Sequence, residues 1–352
     1  MGDRAARTRI VRLTGDGTEQ STGVGSPPEW FPEEPAPAEG DRILHWLALD
    51  GAAAGDGAEA VDGDAGEAVD GDGGEPVGAA WLRLYGDEER QQLARYQAAV
   101  APSRQGRGLG TALLDAVREA ALAEGRGTLL SRAAVGTDAD AFLARAGFTV
   151  AAETERLLLR VADSDQDALR RTVRAASEGY HLVRWQGVAP ADLIAPYAAA
   201  RATLSDVPTE GTDSGAGHWD EERVRAVARA AEQRGDSLLT VAALGLDGLG
   251  GEVVAGFSEI LVPAGKPVGG RPTTGGATRA RQSDTAVLKE HRGRGLGLWV
   301  KAAMLQWLLG AHPEVEEVAT ACTVANRHMI EINRTLGFQS DGGDRYYRLA
   351  LA

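Results

Sequence analysis

The chain has 352 residues, which is enough for two domains of ordinary size that each bury a core. Hydrophobic residues make up 43% and charged residues 25%, the balance of a globular protein, and no apolar run approaches the ~18 residues that cross a membrane. The formal net charge of −14 argues against a protein whose main task is to bind a nucleic-acid backbone.

The pattern of apolar residues in the N-terminal part of the chain predicts short strands separated by long loops. Strand-like runs cover 8–13, 43–49 and 77–85. The stretch 15–40 is rich in Gly, Pro, Ser and Glu and predicts a loop. Residues 51–76 hold eight acids and no Lys or Arg, so we expect a disordered acidic insertion between two strands. Asp62-x-Asp64 starts like a calcium loop, but the glycine and the closing glutamate of that loop do not fit, and no metal site is predicted.

A strand, a glycine-dense turn and a helix follow one another after this insertion. The strand is Tyr96–Val100, and the turn is Gln105-Gly-Arg-Gly-Leu-Gly110. Apolar residues at helical spacing follow the turn: Leu109, Leu113, Leu114 and Val117. The rest of the first half predicts a strand at 127–134, a helix at 139–145, the pair Gly147-Phe148 and a strand at 154–161.

The second half predicts the same kind of unit after a charged helical connector at 163–178. Its expected elements are a strand at 181–185, helices at 190–204 and 218–234, strands at 237–244 and 253–263, a Gly/Pro/Arg-rich insert through Ala280, a strand at 315–322, a helix at 326–336 and a final strand at 345–351. Between insert and strand, the run Thr285–Leu288 leads into Arg292-Gly-Arg-Gly-Leu-Gly297 and an amphipathic helix.

A strand, a bare-backbone turn and a helix start aim several unpaired N–H groups at one point. The helix dipole adds partial positive charge there, so the turn suits a phosphate or pyrophosphate. Arg292 and Arg294 would strengthen this field. The dinucleotide fingerprint fails because Leu298 stands at its third glycine, and the nucleotide P-loop fails because no Gly-Lys-Ser/Thr follows.

The turn resembles the Arg/Gln-x-x-Gly-x-Gly/Ala pyrophosphate loop of the GCN5-related N-acetyltransferases (GNAT), here Arg292, Gly295 and Gly297. The copy at Gln105 lies 187 positions earlier, so the chain resembles a tandem GNAT protein of actinobacterial type. This implies an α/β fold class (α+β, mixed sheet), with two GNAT-like domains that are each a mixed β-sheet flanked by helices with an acyl-CoA splay. The expected domains are 1–162, a connector at 163–179, and 180–352.

The resemblance also implies where acetyl-CoA, or another acyl-CoA, binds. In the family, the pantetheine arm pairs with the strand before the loop, and the loop amides hold the pyrophosphate. Carried over to the second domain, the cofactor-binding residues are Thr285, Ala286, Val287, Arg292, Gly293, Arg294, Gly295, Leu296, Gly297 and Asn326. In the first domain they are Ala98, Ala99, Val100, Gln105, Gly106, Arg107, Gly108, Leu109 and Gly110. Asn326 has the helix N-cap as an alternative role.

The catalytic expectations favour the second domain. The family often has a tyrosine four residues before the Gly-Phe glycine, and here Leu143 and Asn333 hold that position. Leucine cannot donate a proton and asparagine can hydrogen-bond, so we expect a degenerate first domain and a catalytic second domain with Asn333. Asp284, at the start of the loop strand, is the first choice for the base. Glu259 and Glu290 are expected to be solvated carboxylates.

These expectations predict an acetyl-CoA-dependent N-acetyltransferase acting on a small primary amine by direct attack in a ternary complex. The acidic segment 205–222 favours a cationic acceptor. The alternatives are a catalytically silent acyl-CoA sensor or scaffold and a protein or peptide N-terminal acetyltransferase. We expect no nucleic-acid or membrane partner, and a monomer or homodimer. The single cysteine, Cys322, is read as an inert core thiol and, with no segment resembling a signal peptide, predicts a cytoplasmic protein.

Overall fold

The computed structural model describes residues 8–13, 40–50, 75–175, 177–203, 219–264 and 278–351. The acidic insertion with its calcium-loop alternative, the loop at 15–39, most of the acidic segment 205–222 and most of the Gly/Pro/Arg-rich insert lie outside the described residues. The described chain divides into two compact units, one of residues 1–151 with 345–352 and one of residues 152–344.

The first unit is a mixed sheet with two helices. Its strands, in spatial order β1-β2-β3-β4-β5-β12, are β1 (Arg9–Leu13), β2 (Arg42–Asp50), β3 (Glu75–Leu84), β4 (Leu93–Val100), β5 (Thr128–Ala134) and the end of β12 (Gln339–Ala350). The helices are α1 (Leu109–Ala123) and α2 (Asp138–Arg145). The apolar face of α1, with Leu113, Leu114 and Val117, is buried in the core of this unit.

The second unit repeats this plan with more helices. Its strands, in order β6-β11-β10-β9-β8-β7, are β6 (Thr149–Arg160), β11 (Val315–Thr323), β10 (Thr278–Val287), β9 (Glu252–Val262), β8 (Ser237–Leu246) and β7 (His181–Gln186). Its helices are α3 (Gln166–Arg174), α4 (Ile194–Ala202), α5 (Glu221–Gln233), α6 (Leu296–Ala311) and α7 (Arg327–Thr335). The predicted connector is α3, which is fixed to α6 because Trp299 Nε1 donates to the Val173 carbonyl at 2.9 Å.

The last strand of each half lies in the other unit, which differs from the expectation from sequence. Most of β6 belongs to the second unit, where Leu157 and Leu159 are buried and pair with β11. The end of β12 belongs to the first unit, where the Tyr347 hydroxyl donates to Asp140 Oδ1 at 2.6 Å. A strand's apolar alternation fixes which face is buried, but both sheets offer a suitable edge, so it does not show which sheet the strand joins.

The two core-facing helices that follow the glycine turns start in the same way. Gly108 and Gly295 are the N-cap residues of α1 and α6, with φ of 81° and 75°. In both units the helix start is therefore set by a residue in the left-handed region, which glycine adopts without the steric cost of a Cβ. In the part of the chain described, no helix is long and apolar enough to cross a membrane.

Candidate functional site

The two glycine turns have the same backbone geometry. Gly106 and Gly293 have φ of 74° and 75°, and each is followed two residues later by the N-cap glycine. A Cβ placed on any of these four glycines would meet nothing within 4 Å, so the space above both turns is open. The first amides of α1 and α6 have no intrahelical acceptor. Each turn can therefore hold an anion against free N–H groups, and the predicted loops lie where this geometry occurs.

The first side chain of each turn ties the turn to the strand before it. Arg292 Nε donates to the Val287 carbonyl at 3.1 Å, and Gln105 Nε2 donates to the Val100 carbonyl at 3.2 Å. Arg292 is exposed, so the rest of its guanidinium faces solvent beside the turn. The Arg294 carbonyl accepts from Ser177 Oγ at 2.9 Å, which fixes the second turn further.

Each of the two strands that lead into the turns leaves its parallel neighbour before it ends. In the second unit β10 pairs with β11 from Thr278 to Arg281 and then keeps only β9 as a partner. In the first unit β4 pairs with β5 only over 93–95. The predicted pantetheine strands, 285–287 and 98–100, lie in these separated portions. Their free backbone edge is suited to pairing with an extended ligand.

A β-bulge distinguishes the second unit from the first. Ser283 and Asp284 of β10 together oppose the single residue Glu259 of β9, since Gln282 pairs with Ile260 and Thr285 with Ser258. The corresponding pair in the first unit, β3 with β4, keeps regular pairing throughout. Bulges re-aim side chains and are frequent beside active sites. The bulge in the second unit turns Asp284 toward α4.

A buried arginine joins the two carboxylates at this bulge. Arg201 of α4 donates through Nη1 to Glu259 Oε2 and through Nη2 to Asp284 Oδ2, both at 2.6 Å. The Tyr197 hydroxyl donates to the same Glu259 oxygen at 2.9 Å, and Ser283 Oγ donates to Glu259 Oε1 at 2.9 Å. Glu259 is 4% exposed, so the expectation of a solvated carboxylate is wrong for this residue. The carboxylate is paired in the interior because α4 brings a guanidinium to it.

An aromatic pocket surrounds the arginine. The Trp219 ring lies 3.7 Å from the Arg201 guanidinium carbon, a cation–π distance, and Tyr197 packs edge-on against Trp185 and Phe257. A small pocket here is lined by Tyr197, Arg201, Trp219, Thr240 and Glu259. Among the described residues, neither Arg201 Nε nor the buried Thr240 hydroxyl has a hydrogen-bond partner.

Burial and charge set the protonation of this cluster. Loss of water raises the pKa of Asp284 above its usual range; Arg201 opposes this rise and Glu259 adds to it. Burial alone would lower the pKa of Arg201, but Glu259 raises it overall, so the guanidinium stays charged. Burial, reinforced by Glu259, raises the pKa of the Tyr197 hydroxyl, which therefore stays neutral. One cation thus faces two carboxylates, and the Asp284 side chain is 43% exposed.

The other predicted catalytic residue, Asn333, belongs to a second polar group. It is completely buried on α7, its Nδ2 donates to Cys322 Sγ at 3.2 Å, and its Oδ1 is buried without a partner among the described residues. Lys301 of α6 is also buried, and its Nζ lies 5.8 Å from the centroid of the Phe338 ring. Cys322, expected to be an inert core thiol, is half-buried and accepts this hydrogen bond from Asn333.

The remaining candidates have structural or solvent-facing positions. Asn326 Oδ1 accepts from the Met329 amide at 3.2 Å, so Asn326 has the capping role, and a contact with a cofactor stays a prediction. His291 is buried, with Nδ1 2.8 Å from the Tyr180 hydroxyl. Glu290 and His328 are exposed.

Sequence reasoning placed Asp284 and Glu259 in the same region and the structure brings them together, but it missed the residues that join them. Tyr197 and Arg201 lie on a helix read only as part of the fold, and no motif marks them. Lys301 was also missed, since the helix was read for its apolar positions. A comparison of the two turns could have marked Lys301. It is the ninth residue after Arg292, whereas the ninth residue after Gln105 is the apolar Leu114.

Comparison with known proteins agrees with the fold. A model of the acetyltransferase (GNAT) domain family matches residues 67–150. A tandem GNAT protein from the clavulanic acid biosynthesis pathway is similar in structure, with a TM-score of 0.64, 23% identity, and coverage of 98% of this chain and 99% of that one. A GCN5-related N-acetyltransferase from Sphaerobacter thermophilus has a TM-score of 0.53, 14% identity and coverage of 87% and 80%. No curated protein sequence matches.

These findings confirm the expected resemblance and the expected fold class. Residues 67–150 carry a GNAT domain, and the whole chain has the fold of a tandem GNAT protein. The family match over residues 67–150 supports an N-acetyltransferase, and the structural similarity shows the fold. The family model matches the first unit, whose turn and helix are regular, whereas the bulge and the buried polar groups described above lie in the second unit.

Proposed function

We propose that the chain transfers an acetyl group from acetyl-CoA to a small cationic primary amine, and that the second unit is the catalytic one. The observation that carries this proposal is the bulge at Ser283 and Asp284, which places two carboxylates and Arg201 where β10 has left β11. The first unit has a similar turn and separated strands but neither the bulge nor a polar group at Leu143. We infer that the first unit is structural or binds acyl-CoA weakly.

The turn and strand of the second unit fit acyl-CoA. The open space above Gly293 and Gly295 and the free amides of α6 suit the pyrophosphate, and Arg292 adds positive charge at the rim. Residues 285–287 offer a free backbone edge to the pantetheine amides. Acetyl-CoA supplies a thioester carbonyl, which a bound free amine attacks directly, and the site's task is to align the two and to deprotonate the amine.

Asp284 is the base in this proposal. Both oxygens of Glu259 accept hydrogen bonds, from Arg201, Tyr197 and Ser283. Asp284 uses Oδ2 for Arg201, and no described residue donates to its Oδ1. Its raised pKa makes it a better proton acceptor than an ordinary aspartate, as general-base catalysis requires. Glu259 then acts as the positioning residue that fixes Arg201.

The exposed part of Asp284 favours a cationic acceptor. Glu259 and Asp284 share the Arg201 guanidinium, Arg281 acts on Asp284 as well, and the Asp284 side chain is 43% exposed. An ammonium group approaching Asp284 is attracted by this carboxylate, whose Oδ1 has no donor among the described residues. A neutral or anionic amine gains no such attraction.

The test is a thiol-release assay with acetyl-CoA and a panel of polyamines, amino sugars, amino acids and peptides. Turnover is expected with a small cationic amine. Asp284→Asn keeps the size of the side chain but removes the base, so kcat/KM is expected to fall by about 10²- to 10⁴-fold. The matched control is Glu290→Gln, which removes an exposed carboxylate near the turn and is expected to change kcat/KM less than twofold.

Two outcomes would overturn the proposal. Full activity in Asp284→Asn would remove Asp284 as base. Absence of turnover with every amine, together with tight acetyl-CoA binding in calorimetry, would favour a silent acyl-CoA sensor.

A further inference from the structure

Three polar side chains form a hydrogen-bonded row on the face of β9 and β10 that packs against α6. Gln282 Nε2 donates to Ser258 Oγ at 2.9 Å, and Ser258 Oγ lies 2.9 Å from Thr285 Oγ1. Ser258 shares its face of β9 with Ile260, which is buried in the core around α6. Gln282 and Ser258 are buried, whereas Thr285 is half-buried. We call Gln282, Ser258 and Thr285 the polar row.

The β-bulge puts Thr285 on this face of the sheet. Beyond the bulge, Ala286 is buried in the core around α4 and Val287 packs against the core around α6. Side chains alternate between faces along a strand, so Thr285 faces α6. Regular alternation from Gln282 would have turned Thr285 to α4 instead. The extra residue therefore places Asp284 and Thr285, which are adjacent in sequence, on opposite faces.

Thr285 also lies where β10 has left its parallel neighbour. β10 pairs with β11 only as far as Arg281, so at Thr285 the described sheet has β9 on one side and a free edge on the other. The polar row thus leads from the interior to the border of the gap between β10 and β11. The proposed function places the acyl end of acetyl-CoA in this gap.

The hydrogen bonds of the polar row leave the hydrogen of Thr285 unused. A serine hydroxyl has one hydrogen to donate and two lone pairs. Ser258 accepts from Gln282, and Thr285 Oγ1 is its one acceptor among the described residues. A buried hydroxyl hydrogen without an acceptor costs stability, so Ser258 donates to Thr285. The Thr285 hydroxyl can then donate to a ligand in the gap.

The inner end of the polar row is unfavourable for folding. Gln282 Oε1 is buried and has no hydrogen-bond partner in the part of the chain that the structure describes. A buried acceptor left in this state costs about 1–3 kcal/mol. An amide that is kept at this cost needs an explanation beyond packing.

The first unit shows that the outer positions of the polar row can be apolar. Thr285 and Ala98 both lie seven residues before the first side chain of the following turn. Ala98 pairs with Ala80 as Thr285 pairs with Ser258. Both alanines pack in the apolar core around α1. The shared fold therefore does not require the two hydroxyl groups of the second unit.

We propose that the Thr285 hydroxyl donates a hydrogen bond to the thioester carbonyl oxygen of bound acetyl-CoA, and that Ser258 and Gln282 hold it in this orientation. Thr285 is then a catalytic residue, and Ser258 and Gln282 are positioning residues. This inference rests on the proposed function. It adds a side-chain contact to a strand that was expected to bind the cofactor through its backbone.

Negative charge develops on the carbonyl oxygen during the proposed reaction. The nitrogen lone pair of the amine forms the C–N bond, and the π pair of the carbonyl moves onto oxygen. When the carbonyl re-forms, the C–S bond breaks, its electron pair stays on sulfur, and sulfur takes a proton from solvent. The acceptor ammonium loses two protons, the first of them to Asp284, so that one proton in total is released. Thr285 keeps its proton throughout.

The two faces of β10 separate the two tasks. Asp284 receives the amine on the side of α4, whereas Thr285 donates from the side of α6. A donor that is held in place before the charge develops stabilises this charge without reorganisation. The hydrogen bond to Thr285 is therefore expected to be stronger in the transition state than with bound acetyl-CoA.

Infrared spectroscopy of bound [1-¹³C]acetyl-CoA tests the contact without turnover. The ligand is added below one equivalent and without an acceptor, so that the tighter site is filled. A hydrogen bond lowers the stretching frequency of a carbonyl group, so Thr285→Val, which has the same shape but no hydroxyl, is expected to show a higher frequency than the wild-type chain. Thr285→Ser should restore the lower frequency. Thr335→Val is the matched control, because the Thr335 hydroxyl donates within α7 to the Glu331 carbonyl.

Kinetics provide the second test. In Thr285→Val, kcat is expected to fall by about 10²-fold while the acetyl-CoA dissociation constant changes less than about tenfold. Thr285→Ser should recover most of the kcat. Ser258→Ala leaves the Thr285 hydroxyl free to rotate and is expected to lower kcat by about tenfold. A purely structural role of the polar row would produce neither this split nor the recovery by serine.

The outcomes separate this inference from the proposed function. If acetyl-CoA does not bind the wild-type chain, or if no amine is acetylated, the proposed function fails. If acetyl-CoA binds but its carbonyl frequency is the same in Thr285→Val, or if Thr285→Val keeps its kcat, only the role of Thr285 fails. A Ser258→Ala protein that matches the wild-type chain in both measurements would overturn the positioning role of the polar row.

Discussion

Replacing Lys301 with methionine is expected to stabilise the folded chain. Methionine has a similar length and fills the same space, while an ionisable group that is only 2% exposed is removed. The pKa of Lys301 is lowered from 10.5 to about 7 by burial. This shift means that the folded state disfavours the charged form of Lys301 by roughly 5 kcal/mol. The variant does not carry this cost.

The size of the effect depends on pH. Between about pH 7 and 10.5 the unfolded lysine holds a proton that the folded one has lost, so this group makes the stability of the wild-type chain rise with pH. The advantage of Lys301→Met is therefore roughly 5 kcal/mol below pH 6, about 4 at pH 7 and about 2 at pH 9, and it vanishes above pH 10.5. These values are ceilings, because local water entry relaxes the penalty.

Hydrogen exchange of peptides from α6 and α7 is the suitable measurement. The chain has two compact units, so a single unfolding transition is not assumed, and exchange reports the second unit directly. Lys289→Met is the control and should match the wild-type chain at every pH. A Lys301→Met protein that is less stable at pH 7, or whose advantage does not change with pH, would refute the reasoning.

Three further predictions concern the turns, the arginine and the exchanged strands. Gly295→Val places a side chain in the open space above the second turn, so the tighter CoA site is expected to be absent in calorimetry. If Gly108→Val removes the tighter site instead, the assignment of the units is reversed. Arg201→Met leaves the buried Glu259 carboxylate without its cation and should cost about 3–5 kcal/mol of stability, with Arg201→Met/Glu259→Gln recovering most of it; no recovery would count against the pair. A fragment of residues 1–162 should lack native circular dichroism and gain it when 339–352 is fused to its end, and a folded fragment alone would contradict this.

The features that could be predicted from sequence are those with a local physical cause. Each turn needs two glycines at positive φ and a helix start, and the residues that meet this need are consecutive. The repeat at Gln105 and Arg292 then fixed the tandem organisation. Apolar periodicity located nearly every strand and helix, since burial of one face is also a local requirement.

The features that were missed depend on residues distant in sequence. Arg201 meets Glu259 and Asp284 only because α4, β9 and β10 pack together, and no spacing encodes that meeting. The buried state of Glu259 follows from this pairing, so it was misjudged with it. The exchange of β6 and β12 was missed because it also depends on distant residues. The alternation of apolar residues in a strand shows which face is buried but not which sheet the strand joins.

The two units, compared position by position, show how the same fold is used in two ways. Both units have the glycine turn, the open space above it and the separated strands. These features need glycines and a local change in strand pairing, but no buried polar side chain. Only the second adds the bulge, the paired carboxylates and a buried amine, each of which costs stability in isolation. Costs of this kind persist where they serve chemistry. The first unit meets the same core positions with hydrocarbon. This asymmetry is the reason why we propose the chemistry for the second unit alone.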